Sequence, residues 1–178
     1  MKTTHLKSSH IAKGGIFTAI SFLLIYLSTI LPINKLSLLA TASAIIPISI
    51  ISTNIKNGFL VYLSTSILCS LIVGISRSTV IFYIVFFGLY GIIKYYIEKL
   101  NKLYIEIILK FIFFNISLLI LFFIYKLFFK GIPMLNKYKY KYTYIYFIIA
   151  QIAFIVFDYI LTLFIFYINK HFVNNTKF

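Results

Sequence analysis

The chain has 178 residues, of which 62% are hydrophobic, 20% aromatic and 11% charged, with a net charge of +14 and a mean hydropathy of +1.02. A soluble domain of this length needs far more charge to cover its surface, and one domain fills the chain without room for a soluble catalytic module. The positive charge does not point to nucleic acid, because the lysines and Arg77 are spread between apolar segments and gather on no soluble face.

Six apolar stretches follow one another, at 14–31, 36–53, 57–74, 78–97, 106–129 and 142–168. At a rise of ~1.5 Å per residue, ~20 helical residues cross a ~30 Å hydrocarbon layer, so each stretch is long enough to span. Backbone in lipid must satisfy its own hydrogen bonds, which leaves helices or a closed barrel. Barrel strands alternate apolar and polar residues, and the runs 17–25 and 118–124 do not. The expected fold is all-α: a polytopic membrane protein, one integral domain over 1–178, built as a compact bundle of six transmembrane helices. The basic start with Lys2, Lys7 and Lys13 before an apolar run is read as leading into an uncleaved first helix, because Ala42-Ser-Ala44 comes too late for a signal cleavage site. Residues 1–10 and the tail from Asn174 are expected to be disordered.

In the first helix Gly14, Thr18, Ser21 and Ser28 share one face, with Ile25 between the last two. Gly15 and Ala19 form a small-xxx-small pair on an adjoining face. Such residues let helix backbones approach closely, either inside the bundle or against another membrane subunit. The second helix carries Ser37, Thr41, Ala44 and Ser52, and Pro47 interrupts its hydrogen bonding and kinks it. Cys69 in the third is a lone small hydrophobe, which excludes an intramolecular disulfide or a Cys-rich metal site. Gly88 and Gly91 in the fourth permit a close crossing, and Tyr83, Phe87, Tyr90 and Lys94 line either a pocket wall or a lipid interface.

The connection between the fifth and sixth helices contains a Lys-Tyr alternation over 136–142, which reads as an interfacial belt or as a basic lid favouring an anionic ligand. The sixth helix holds Gln151, Asp158, Thr162 and Asn169 on one face. Asp158 is the one acid deep within a span, and Asn115 lies near the middle of the fifth. An ionisable group at that depth faces the bundle interior with a partner. Two readings stand: a ligand, proton or cation site, or a structural bond to Asn115 or to a reaching Lys110.

Short connections make successive helices antiparallel neighbours, and six spans return both termini to one side. Placing that side in the cytoplasm puts ten basic residues inside against seven outside. His5, His10 and His171 lie in terminal segments, and the chain contains no H-E-x-x-H, no G-x-S-x-G and no phosphate-binding G-x-x-x-x-G-K-[ST] loop. No enzyme, cofactor or metal role is expected, and any active transport draws its energy from a partner or an ion gradient.

Size, basic character and six-span layout resemble the substrate-binding S subunits (S components) of energy-coupling factor (ECF) transporters. The first helix of that family carries an alanine-x-x-x-alanine docking motif after a short basic N-terminus, and Gly15 and Ala19 in Lys13-Gly-Gly-Ile-Phe-Thr-Ala occupy its place, with glycine for the first alanine. Ala44-Ile-Ile-Pro-Ile followed by Lys56-Asn-Gly-Phe resembles its passage from helix two to helix three. The resemblance implies a bacterial plasma-membrane protein with cytoplasmic termini. It implies capture of a vitamin or other micronutrient in the outer half between helices four to six, and docking to a coupling subunit served by two ATPases. Tyr83, Asn115, Gln151 and Asp158 are the candidate ligand contacts. The alternatives are a non-transport scaffold resembling rod-shape-determining membrane protein D, or an ion-coupled carrier using Asp158.

Overall fold

A computed structural model describes residues 2–128 and 143–175, and these residues are almost entirely helical. The helices are α1 (Lys2–Ile30), α2 (Lys35–Ser52), α3 (Ile55–Gly74), α4 (Ser78–Glu98), α5 (Leu103–Phe128) and α6 (Thr143–Asn175). All six have the length and apolar composition to cross a membrane. The chain is therefore a multi-pass membrane protein, and its span limits follow the apolar runs to within a few residues. The fifth helix starts at Leu103 rather than Glu106, because Leu103 and Tyr104 extend the apolar register beyond the turn at Asn101. Phe129, Tyr142 and the Lys-Tyr alternation lie outside the described residues.

The N-terminal expectation is corrected. Helix α1 runs from Lys2 through residues 2–10 without a break, and at the other end Asn174 and Asn175 belong to α6. A helix already nucleated by its membrane-spanning part extends at little cost, since each added residue gains a hydrogen bond. The extension is also held from the side. Asn57 of α3 donates from Nδ2 to the His10 carbonyl at 2.9 Å, and Asn54 Nδ2 approaches His10 Nδ1 at 3.4 Å. His10 thus packs against the bundle rather than standing clear of it.

Helix α2 is the hub. Every residue from Ala42 to Pro47 is buried, because α1, α3, α4 and α6 all pack on it. Small side chains make this possible: with no hydrophobic force between helices in lipid, close backbone approach supplies the packing energy. A Cβ at Gly91 of α4 would stand 2.8 Å from Pro47 Cδ, so α2 and α4 cross at van der Waals contact there. Pro47 lies within a continuous helix and faces this crossing. The Ser37–Ser52 stripe divides. Ser37 and Thr41 are exposed and bond the carbonyls of Asn34 and Leu38 one turn back, whereas Ala44 is buried.

Two helices contain π turns, Ser70–Gly74 closing α3 and Tyr83–Phe87 within α4. The second widens α4 by one residue per turn where Phe86 enters an aromatic cluster with Phe113, Phe114, Phe154 and Phe157. Phe114 and Phe154 stack with ring centroids 4.4 Å apart and planes 7° from parallel. This cluster joins α4, α5 and α6.

Candidate functional site

Directly below the aromatic cluster, toward the chain ends, four charged side chains from three helices form a closed ring. Lys94 of α4 meets Glu98 one turn later at 2.7 Å and also meets Asp158 of α6. Lys110 of α5 lies 3.0 Å from Glu98 Oε1 and 3.0 Å from Asp158 Oδ2. Two cations alternate with two anions, so the ring is neutral as a whole. Neutral hydroxyls complete it: Tyr90 donates to Asp158 Oδ1 at 2.6 Å, and Lys94 donates to Thr162 Oγ1 at 2.7 Å, which in turn donates to the Asp158 carbonyl at 2.8 Å.

The local sequence dictates these positions. Lys94 and Glu98 are an i, i+4 pair and share a helix face; Tyr90 precedes Lys94 by one turn on the same face. Asp158 and Thr162 are likewise one turn apart on α6. Lys94 sits ~6 Å inside the end of α4, Lys110 ~10 Å from the start of α5, and Asp158 ~18 Å from Lys170 at the rise of a helix. The ring therefore lies in the half of the bundle nearer the chain ends. Exposure grades across it: the Lys94 side chain is 1% exposed, Lys110 10%, Asp158 21% and Glu98 31%. A lysine as buried as Lys94 is tolerated in lipid because its ammonium group has acidic and hydroxyl partners on several sides.

Asp158, singled out from sequence, is thus bound by Lys110, as one structural reading held, and additionally by Lys94 and Tyr90. Asn115 is not its partner. Asn115 Oδ1 instead accepts from Gln151 Nε2 at 2.9 Å, while Asn115 Nδ2 bonds the Phe111 carbonyl at 2.8 Å. Gln151 Oε1 is buried and accepts no hydrogen bond among the described residues. Tyr83 is fully buried but turns to α3, with Tyr62 6.4 Å away between ring centroids. The structure therefore separates the four candidates into an ionic ring, an amide pair and a lone tyrosine. Glu98 is the member that sequence reasoning missed. Its signal was present, since the chain has three acidic residues and this one lies four positions after a lysine.

On α1 the two small-residue faces have different roles. Thr18, Ser21, Ile25 and Ser28 are buried in the bundle, and a Cβ at Gly14 would meet Asn57 Oδ1 at 2.8 Å. Gly15 and Ala19 are exposed, and a Cβ at Gly15 meets nothing within 4 Å. Lateral clefts mark the surface. One of about 220 Å³ lies between Ser78, Phe82 and Tyr125, and one of about 530 Å³ between Lys56, Phe59 and Tyr96. Neither is lined by Tyr83, Asn115, Gln151 or Asp158.

The chain matches no known protein family, no characterised protein and no solved structure. Its functional reading rests on its own geometry.

Proposed function

We propose that this protein is a membrane-embedded substrate-binding subunit for uptake of a vitamin or other micronutrient, similar to the S components of ECF transporters. It docks through α1 to a coupling subunit whose ATPases supply the energy. The observation that carries the reading is the Gly15–Ala19 face. Gly14, Thr18, Ser21 and Ser28 of the same helix are spent on internal packing, whereas Gly15 and Ala19 are exposed, with open space above Gly15, as a surface for close approach by a second membrane helix requires. The ligand is assigned to Asn115 and Gln151, which lie between the middle of the bundle and the end away from the termini. There the unpartnered Gln151 Oε1 offers an acceptor to a polar solute.

The cytoplasmic placement of the termini belongs to this proposal. Lys94 and Lys110 are paired with acids and add no net charge to their side of the membrane, which leaves eight basic residues against seven. Orientation then follows from docking: ATPases act from the cytoplasm, and the coupling subunit must reach Gly15, which lies in the N-terminal half of the span Ser8–Ile30 of α1.

The test is to purify the full chain in detergent, identify any co-purifying small molecule by mass spectrometry, and assay association with an ECF coupling subunit by pull-down. A bound micronutrient and an association lost in Gly15→Leu support the reading. Finding neither, or a stable complex with cell-wall machinery and no ligand, overturns it in favour of a scaffold.

A second reading has its own observation. The Asp158 ring is an intramembrane set of ionisable groups, the usual mark of an ion or proton pathway. An ion-coupled carrier built on it loses solute uptake in Asp158→Asn at unchanged protein level, measured in proteoliposomes; retained uptake rejects it.

A further inference from the structure

We propose that Lys94 and Lys110 form an exchangeable anion site, in which Glu98 is the resident carboxylate and a phosphate-bearing anion is the ligand that replaces it. This inference is independent of uptake and of docking by α1, because the four ring members stand on α4, α5 and α6 and include neither Asn115 nor Gln151 nor any residue of α1.

The argument starts from the unequal anchoring of the two acids. Asp158 uses both carboxylate oxygens, with Tyr90 and Lys94 on Oδ1 and Lys110 on Oδ2. It sits in the middle of a long helix. Glu98 meets both ammonium groups through a single oxygen, Oε1. It is the most exposed member of the ring and the last residue of α4, beside the turn that reverses at Asn101 with φ 53°. An acid held by one atom at a helix end swings away at little cost in packing, whereas Asp158 cannot leave without breaking three contacts.

Charge then requires a successor. Two ammonium groups with one carboxylate leave a net positive charge in a partly buried site, and a buried cation without a counter-ion is strongly unfavourable. A phosphate oxygen can take over the vacated contacts, since it accepts from two lysines as a carboxylate does and carries the same sign. The level of the site suits such a ligand. Glu98 and the start of α5 lie where the apolar spans of α4 and α5 end, so the ring opens toward a membrane–water boundary, where basic pockets between helices bind phosphate headgroups. The same chemistry is offered by free phosphate and by an anionic lipid, and the experiment separates them.

The full chain is placed in nanodiscs of phosphatidylcholine, or of phosphatidylcholine with phosphatidylglycerol, and its melting temperature is followed with sodium phosphate or with sodium chloride at equal ionic strength. Glu98→Gln is expected to melt below wild type in neutral discs. A saturable recovery with phosphate identifies a soluble anion; recovery in phosphatidylglycerol discs without added phosphate identifies the lipid. Lys102→Gln in the Glu98→Gln background lowers the net charge without touching the ring and keeps the recovery, whereas Lys110→Gln in that background abolishes it. Absence of recovery in both arms overturns the proposal, as does recovery equal in chloride or in the Lys110→Gln background. If Glu98→Gln does not accumulate, native mass spectrometry of wild type and Lys110→Gln decides: phosphatidylglycerol or phosphate retained by wild type and lost in the variant supports the site, and equal retention overturns it.

Discussion

Lys94 on α4 and Asp158 on α6, 64 residues apart in sequence, meet as an ion pair in the interior of the bundle. The pair ties the last helix to the hub side of the molecule, and among the described side chains of α6 the buried hydrophobics are Phe154 and Leu161 alone. Removing one partner leaves an uncompensated charge in a site of low dielectric, a loss of roughly 3–5 kcal/mol. Asp158→Asn and Lys94→Met are each expected to lower unfolding free energy by about that amount in detergent, by denaturant titration. The double variant Lys94→Met/Asp158→Leu should lose clearly less than the sum, because it buries no orphan charge. Additive losses would mean the two groups act separately.

Glycines at positions 15 and 91 make opposite predictions from the same chemistry. Gly91→Leu drives a side chain into Pro47 at the α2–α4 crossing and should cost about 1–3 kcal/mol or prevent folding altogether. Gly15→Leu enters open space and should stay within ~0.5 kcal/mol of wild type, yet abolish any association that uses this face. Thermal unfolding and pull-down on the same two variants check both statements. A Gly15→Leu variant that unfolds like Gly91→Leu would show that the face is internal.

The first turns of α1 depend on a side chain of α3. Asn57 holds the His10 carbonyl, and its own backbone N–H is capped by Asn54 Oδ1 at 2.9 Å. Asn54→Ala removes the cap, for about 1 kcal/mol. Asn57→Ala removes the clamp on α1. Hydrogen–deuterium exchange should accelerate in residues 2–11 of Asn57→Ala and stay unchanged beyond Ile25, where α1 is buried in the bundle. Faster exchange along the entire helix would contradict a local clamp.

The spans were legible because a bilayer imposes a length on each apolar run, and ~20 residues cannot be mistaken for a soluble core helix. Periodicity also separated the two small-residue faces of α1, but not their destinations, which the bundle sets: Gly14, Thr18, Ser21 and Ser28 are buried and Gly15 and Ala19 exposed. Partners were less legible. Sequence gives the angle of a side chain around its own helix and its approximate depth, but not which neighbour stands opposite. Asn115 and Asp158 were placed at similar depth and took different partners, because Asn115 stands opposite Gln151, two turns from Asp158. Residues 2–10 were misread for a related reason. Their polar composition is that of a tail, and the contact that meets them at His10 comes from Asn57, 47 residues away.

The amide pair offers a separation of stability from binding. Gln151 Nε2 bonds Asn115 Oδ1 and Asn115 Nδ2 bonds the Phe111 carbonyl, while Gln151 Oε1 has no partner among the described residues, so three of the pair's four polar groups are satisfied. Hydrogen bonds between membrane helices average ~0.6 kcal/mol and rarely exceed ~1.7. Asn115→Leu is therefore expected to lower stability by about 1 kcal/mol, since it strands the Gln151 amide. Asn115→Leu/Gln151→Leu removes both polar groups and should recover most of that loss. If Gln151 also serves a solute, Gln151→Leu will lose the co-purifying ligand seen by mass spectrometry even when its melting temperature equals wild type. A ligand retained by Gln151→Leu would remove this residue from the binding site and leave the pair a purely structural contact between α5 and α6.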